Sequence, residues 1–369
     1  MDSLQSPNRG NRTGVYLGVL GVLFFLVVAL VLAERADPSF GNNATSTPNI
    51  VKGETKNNEP EPMEVIPAPV VLDKVLYDKK MIALANYAST TSTTTVRLWP
   101  AKTVYPNAGA ILPFSRIVAY YGNLYSKGMG VLGEYPEDVM LKKLESEVKK
   151  WEKADPTTPV IPALHYIDVT AQESAGKDGK YRLRMPDSQI DEVLRMAKKI
   201  NALVFLDIQV GKSTVESELP LLEKYLKMPN VHFGIDPEFS MKTGKRPGTV
   251  IGSMDAADIN YTAEYLAKLV RENNLPPKIL VIHRFTYDMV TNYERIKPLP
   301  EVQIVIDMDG WGDPAKKRNT YRQIVTGEPV QFAGFKLFYK NDLLPPSTHV
   351  LTPVEVLKLQ PQPSYIQYQ

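Results

Sequence analysis

The chain has no cysteine in 369 residues. Disulfides, a thiol nucleophile, thiolate metal sites and a lipid-modified cysteine are all excluded, so stability must come from a buried core. A charge excess is lacking too. With 43 basic and 41 acidic residues the formal charge is +2, and no block of like charge suggests a polyanion, so nothing points to nucleic acid. The patterns GxSxG, HExxH and GxxxxGK[ST] do not occur, which removes the common serine-hydrolase, zincin and P-loop readings.

One long hydrophobic run is present. Gly14 to Ala33 carries no charge and as a helix spans roughly 30 Å, the thickness of a bilayer core. Arg9 and Arg12 precede it with Asp2 as the nearby acid, and Glu34, Arg35 and Asp37 follow. The positive-inside bias therefore puts residues 1–13 in the cytoplasm, 14–33 across the membrane, and the rest outside as a single-pass protein. A cleavable signal ending at Val31-Leu32-Ala33, giving a secreted protein, is the alternative. Residues 34–69 are rich in Asn, Pro, Thr and Glu and read as a flexible linker. The Asn43-Ala44-Thr45 sequon within them carries little weight. Residues 70–115 are mixed and are expected to pack on the main domain, covering one end or replacing a missing last helix.

From Arg116 the pattern becomes regular. Short runs rich in Val, Ile, Leu and Phe at 117–122, 160–167, 202–210, 231–239, 279–285, 302–310, 332–339 and 364–369 read as eight strands. Helical patterns at 136–153, 187–200, 214–227, 255–273, 286–297, 314–326 and 353–359 separate them. Apolar strands alternating with helices predict a parallel sheet covered on both faces, and eight units predict an α/β fold closed as a (β/α)8 TIM-like barrel over 116–369. A doubly wound open sheet is the alternative.

Barrel active sites lie at the C-terminal ends of the strands, where a late charged residue reads as functional. Strand three ends in Asp207 and Gln209, strand four in Asp236 and Glu238, and strand six in Asp307 and Asp309; His283 lies on strand five and Lys336 on strand seven. Side chains two apart share a face, so each acidic pair is expected to point into one mouth. Helix capping or loop bonding by one member of each pair is the competing reading. Aromatic side chains, among them Tyr121 and the glycine-flanked Trp311, suit the C–H faces of sugars.

Glycoside hydrolysis needs one protonated and one ionised carboxyl group. Glu238 is the candidate acid. Asp207, one strand away, would suit a retaining enzyme and Asp309, two strands away, an inverting one; Gln209, His165, His283, Lys336, Trp311 and Tyr121 would contact the polysaccharide. This reading requires no cofactor. A second reading has Asp207, Glu238, His283 and Asp307 holding magnesium or manganese in a hydrolase or lyase, and a third is a non-catalytic glycan- or protein-binding module. The GxGxxG match at Gly128, Gly130 and Gly133 reads as a flexible mouth loop, since Glu134-Tyr135-Pro136 follows it. Asp307-x-Asp309-x-x-x-Asp313 lacks the rest of a calcium loop. His232 and His349 read as structural.

The phrases AYYGN, MGVLGEYP, PALHYI, FLDIQVG, IDPEF, IGSMDAADIN, VIDMDGWG and FKLFYKND resemble a family of uncharacterised exported or membrane-attached bacterial proteins. The resemblance covers roughly residues 114–369 and implies no particular activity. More broadly the chain is similar to glycoside-hydrolase-like barrels in expected architecture, but Lys336 stands where the commonest of those place a nucleophilic Glu on strand seven.

Overall fold

Strands that are apolar on both faces have no wet side to offer, so they are stable only when covered outside and packed against one another inside. The computed structural model, which describes residues 71–87, 97–101 and 103–369, satisfies this by closure. The strands are β1 (Arg116–Gly122), β2 (Val160–Ala171), β3 (Leu203–Ile208), β4 (Val231–Ile235), β5 (Lys278–Arg284), β6 (Val302–Met308), β7 (Phe332–Leu337) and β8 (Tyr365–Tyr368). Each pairs in parallel with the next, and β8 pairs back onto β1. The ring is closed, which overturns the open doubly wound alternative.

Register sets the inner layers. Phe205 on β3 lies opposite His165 on β2, Asp207 opposite Gly234 on β4, His283 opposite Asp307, Asp307 opposite Gly334, and Lys336 opposite Gln367. Below these polar layers lies an apolar plug of Ile117, Ala119, Ala163, Phe205, Ile279, Val281, Val305, Phe332 and Tyr365. The outward strand residues form the larger core with the helices.

Helix α1 (Lys74–Ala85) is here called the base helix, and helices α2 (Glu137–Ala154), α3 (Asp187–Lys199), α4 (Ala256–Glu272) and α5 (Pro314–Tyr321) cover the barrel. Apolar spacing of three and four drives them inward: α2 buries Met140, Leu141, Leu144 and Trp151, and α3 buries Ile190, Val193, Met196 and Ala197. A capping box starts α4, with Asp255 accepting from the Ala257 amide at 3.0 Å and Asp258 from the Asp255 amide at 2.6 Å.

Three expected helices are not continuous. Residues 214–227 break into Val215–Glu218, a 3-10 turn Leu219–Leu222, and Glu223–Leu226, because Pro220 has no amide hydrogen to continue the ladder. Residues 286–297 form two 3-10 turns around Val290–Thr291, which pairs with Met254–Asp255, and Asn292 between them adopts a left-handed conformation with φ 56°. Only Pro353–Val356 is helical in the last pattern.

The base helix does not stand in the outer ring after β8. It lies across the N-terminal end of the barrel, where Tyr77 and Met81 join the apolar plug and the Leu84 carbonyl accepts from the Gln362 amide at 2.7 Å. Leu112 closes the same end, its amide donating to Gln303 Oε1 at 3.1 Å. Among the described residues no helix is long and apolar enough to cross a membrane. The hydrophobic run Gly14–Ala33, the linker and the sequon lie outside the described residues.

Candidate active site

The polar layers at the C-terminal end of the barrel are built by inward residues one layer above the apolar plug. His165 and Asp207 are wholly buried, as are His283 and Asp307. Asp207 Oδ2 lies 3.5 Å from His165 Nε2 and 3.3 Å from His283 Nε2. On its other side His283 Nδ1 faces Asp307 Oδ2 at 3.5 Å and Asp309 Oδ2 at 3.2 Å. Lys336 Nζ pairs with Asp309 Oδ1 at 3.0 Å and stands 3.8 Å above the Tyr121 ring. His165 Nδ1 meets the Tyr365 hydroxyl at 2.6 Å, and Gln367 Nε2 donates to that hydroxyl at 3.0 Å.

Two glycines make room for this crowd. A Cβ at Gly234 would lie 2.7 Å from His165 Nε2 and 2.8 Å from an Asp207 oxygen, and one at Gly334 would lie 2.6 Å from an Asp307 oxygen. These strand glycines mark close approach rather than flexibility.

Strands β3 and β4 end before the residues expected to extend them. Gln209 lies just beyond β3, taking the Ala171 amide on Oε1 at 3.1 Å and donating to Asp236 Oδ2 at 3.2 Å. Glu238 is not a strand residue but sits in the 3-10 turn Pro237–Phe239, so the shared-face argument for it does not hold. Asp236 caps that turn by accepting from the Glu238 amide at 3.1 Å, and the Gly252 amide clamps it by donating to the Glu238 carbonyl at 2.6 Å. The result is a half-buried Glu238 at the rim. For Asp236 the capping and inward readings are both realised, because its two oxygens serve different partners.

Charge within the ring is unevenly divided. Burial would raise the Asp207 carboxyl, but the His283 and His165 rings hold it well below the usual carboxylate range. Burial opposes protonation of His283, yet Asp207, Asp307 and Asp309 push its pKa well above the ordinary imidazole value. His165 goes the other way, lowered by burial to about 4. Asp309 is held below its ordinary value against the cost of burial, chiefly by Lys336 and then His283. Burial raises Asp236 to about 7, and raises Glu238 well above its ordinary value, with Asp236 and Asp309 adding to the effect. Asp307 is also raised by burial.

The structure therefore brings Tyr121, His165, Asp207, Gln209, Asp236, His283, Asp307, Asp309 and Lys336 into one connected cluster. Trp311 lies outside it on the exposed loop after β6, with Lys316 Nζ 4.7 Å over its ring. Glu238 and Asp307 are not drawn into one ligand group with Asp207 and His283; among the described residues the metal-ligating side chains that converge are His165, Asp207 and His283. Lys336 balances Asp309. Sequence reasoning missed Tyr365 and Gln367, although parity along β8 places both on the inner face.

Features set aside in the sequence find structural places. His232 Nδ1 accepts from the Ile279 amide at 3.1 Å, His349 pairs with Glu355 at 3.1 Å, and Asp313 caps α5 by accepting from Ala315 and Lys316. The glycine-rich segment is open at Gly128 and closely packed from Gly130 on. A Cβ at Gly130 would lie 2.2 Å from the Tyr121 carbonyl, where φ is +150°, and one at Gly133 2.0 Å from the Asn123 carbonyl.

No known family model matches the chain, and no curated protein does. Solved structures that align with it include Burkholderia cenocepacia dihydropteroate synthase complexed with 7,8-dihydropteroate, at 10% identity over 70% of this chain and 86% of that one, with a TM-score of 0.34. The structure of ZgEngAGH5_4 in complex with a cellotriose aligns at 12% identity over 62% of this chain and 79% of that one, with a TM-score of 0.33. Likeness this distant carries no chemistry across. The barrel assignment rests on the closed strand ring itself.

Proposed function

We propose that the protein hydrolyses glycosidic bonds of a polysaccharide, with Glu238 as proton donor and Asp309 as the base that activates water. The observation that carries this reading is the asymmetry of two carboxyl groups at the mouth. Asp309 is paired with an ammonium at 3.0 Å, whereas among the described residues no cationic nitrogen lies within salt-bridge distance of Glu238, which sits half-buried at the rim beside Asp236. A neutral acid opposite an ionised partner is the division of labour that glycoside hydrolysis requires.

Asp207 and Asp307 are sealed beneath this pair with no exposed surface, so neither can approach an anomeric carbon. That favours Asp309 over Asp207 as the partner. Glu238 follows β4 and Asp309 follows β6, with β5 between; two strand spacings put their backbones about 10 Å apart. A partner two strands away leaves room for a water between the carboxyl groups, as inverting enzymes require, whereas a partner on the adjacent strand would suit retention. The exposed Trp311 and Tyr287 on the loops beyond β6 and β5 offer rings to sugar C–H faces. A membrane tether at Gly14–Ala33, as the sequence predicts, suits a fixed polymer of the envelope or its surroundings.

The test is release of reducing ends from envelope and extracellular polysaccharides by the full chain. Glu238→Gln should abolish release while leaving the melting temperature near that of the wild type; Asp309→Asn should also abolish release but lower the melting temperature, because it leaves the buried Lys336 ammonium without its counter-ion. Unchanged release by Glu238→Gln would overturn the assignment of the acid.

A further inference from the structure

We propose that His165 Nε2, Asp207 and His283 Nε2 form a buried binding site for one divalent transition-metal ion of the zinc class, beneath the mouth of the barrel. This goes beyond the glycosidase reading and does not depend on it, since no step of that hydrolysis passes through the ion.

Four observations converge. The three donor groups, on β2, β3 and β5, lie within 4.8 Å of one another. Their separations of 3.5 and 3.3 Å are too long for charge-assisted hydrogen bonds, which run about 2.7–2.9 Å. They match two ligands of one ion, because donors about 2.1 Å from a tetrahedral metal stand about 3.4 Å apart. His165 Nε2, both Asp207 oxygens and His283 Nε2 have no hydrogen-bond partner although they are fully buried, a costly state unless something else binds them. The missing Cβ of Gly234 leaves open the space beside His165 Nε2 and Asp207.

The outer nitrogens of the two rings support the same assignment. A metal-bound imidazole is aimed by a group on its other nitrogen. Here His165 Nδ1 is held by Tyr365, which Gln367 holds in turn, and His283 Nδ1 faces Asp307 and Asp309. Two imidazoles and one carboxylate favour zinc or a neighbouring transition ion over magnesium or manganese, which prefer all-oxygen shells.

The experiment uses the full chain, stripped with a chelator and then titrated with zinc chloride and, separately, cobalt(II) chloride. Wild type should take up about one ion per chain, melt at a higher temperature when loaded, and give the visible absorption of cobalt in a low-symmetry nitrogen and oxygen site. Asp207→Asn and His165→Gln should bind roughly 100-fold or more weakly, since loss of even an outer partner is worth about 10- to 100-fold. His349→Gln, which removes a surface imidazole, should bind as the wild type does. A folded wild type that binds neither ion, or an Asp207→Asn chain that binds as tightly as wild type, would overturn the site and leave His283 as an imidazolium bridging Asp207 and Asp309. Ion binding without release of reducing ends would count against the glycosidase reading alone.

Discussion

Asp168 offers the cleanest quantitative test of the electrostatics, because it is buried near the barrel mouth but takes no part in the proposed chemistry. It lies on β2, almost wholly buried, and its Oδ1 has no hydrogen-bond partner. Burial pushes its carboxyl up to about 7 from an ordinary 3.8, with Asp187 and Glu218 adding repulsion and Arg184 opposing it. A tenfold change in proton affinity is worth ~1.4 kcal/mol, so ionising Asp168 within the fold costs at most about 4 kcal/mol. The sign follows from the raised value. The folded chain holds a proton that the unfolded chain has released, so the stability this group contributes is fully present below about pH 4 and is lost as pH rises towards 7. Asp168→Asn keeps the shape and removes the charge. It should stabilise the protein by about 2 to 4 kcal/mol at pH 8 and by little at pH 4.5, read from urea unfolding at both values. Equal stabilisation at the two pH values, or destabilisation at pH 8, would refute the reasoning.

Other perturbations probe the mouth and the floor. Lys336→Met removes the nearer counter-ion of Asp309 and leaves only His283 beside it, and should cost up to about 3 to 5 kcal/mol in urea unfolding as well as abolishing release of reducing ends. Gly234→Ala drives a methyl group against His165 and Asp207, an overpacking expected to cost about 1 to 3 kcal/mol, visible as a lower urea midpoint. Trp311→Ala should weaken polysaccharide binding by roughly tenfold, the worth of one stacked ring, with only a small loss of stability, since the ring lies on a surface loop beneath the exposed Lys316. Lys278 is buried with its Nζ donating to the Met228 and Val231 carbonyls, and burial lowers it to about 7. The folded chain therefore favours its neutral form. Lys278→Met should stabilise most below pH 7 and progressively less as pH climbs towards 10, as followed by thermal melts across that range.

The strands were legible because their apolar runs are continuous and short, and eight of them imply closure. The helices were less so. Residues 286–297 have a helical look, yet Asn292 turns the chain left-handed and Val290–Thr291 pairs with Met254–Asp255, a long-range contact that no local pattern announces. The site was half visible. Parity correctly aimed Asp207 and Asp307 inward from their strands, but parity stops where a strand stops. Glu238 lies three residues past the end of β4, and its position at the rim is set by the Asp236 cap and the Gly252 clamp. His165 looked like a substrate contact. The structure instead puts it on the floor beside Asp207, because Gly234 on the next strand but one has no side chain to keep them apart.

The base helix fixes where the described chain enters the barrel. The described chain starts at Val71 under the N-terminal end of the barrel, where Leu72, Tyr77 and Met81 close the apolar plug, while Glu238, Asp309 and Trp311 open at the opposite pole. A seven-residue strand such as β6 is about 23 Å long. The described chain therefore enters the domain at its closed pole, about one strand length from the mouth. A large ligand can thus approach the open pole without meeting the base helix.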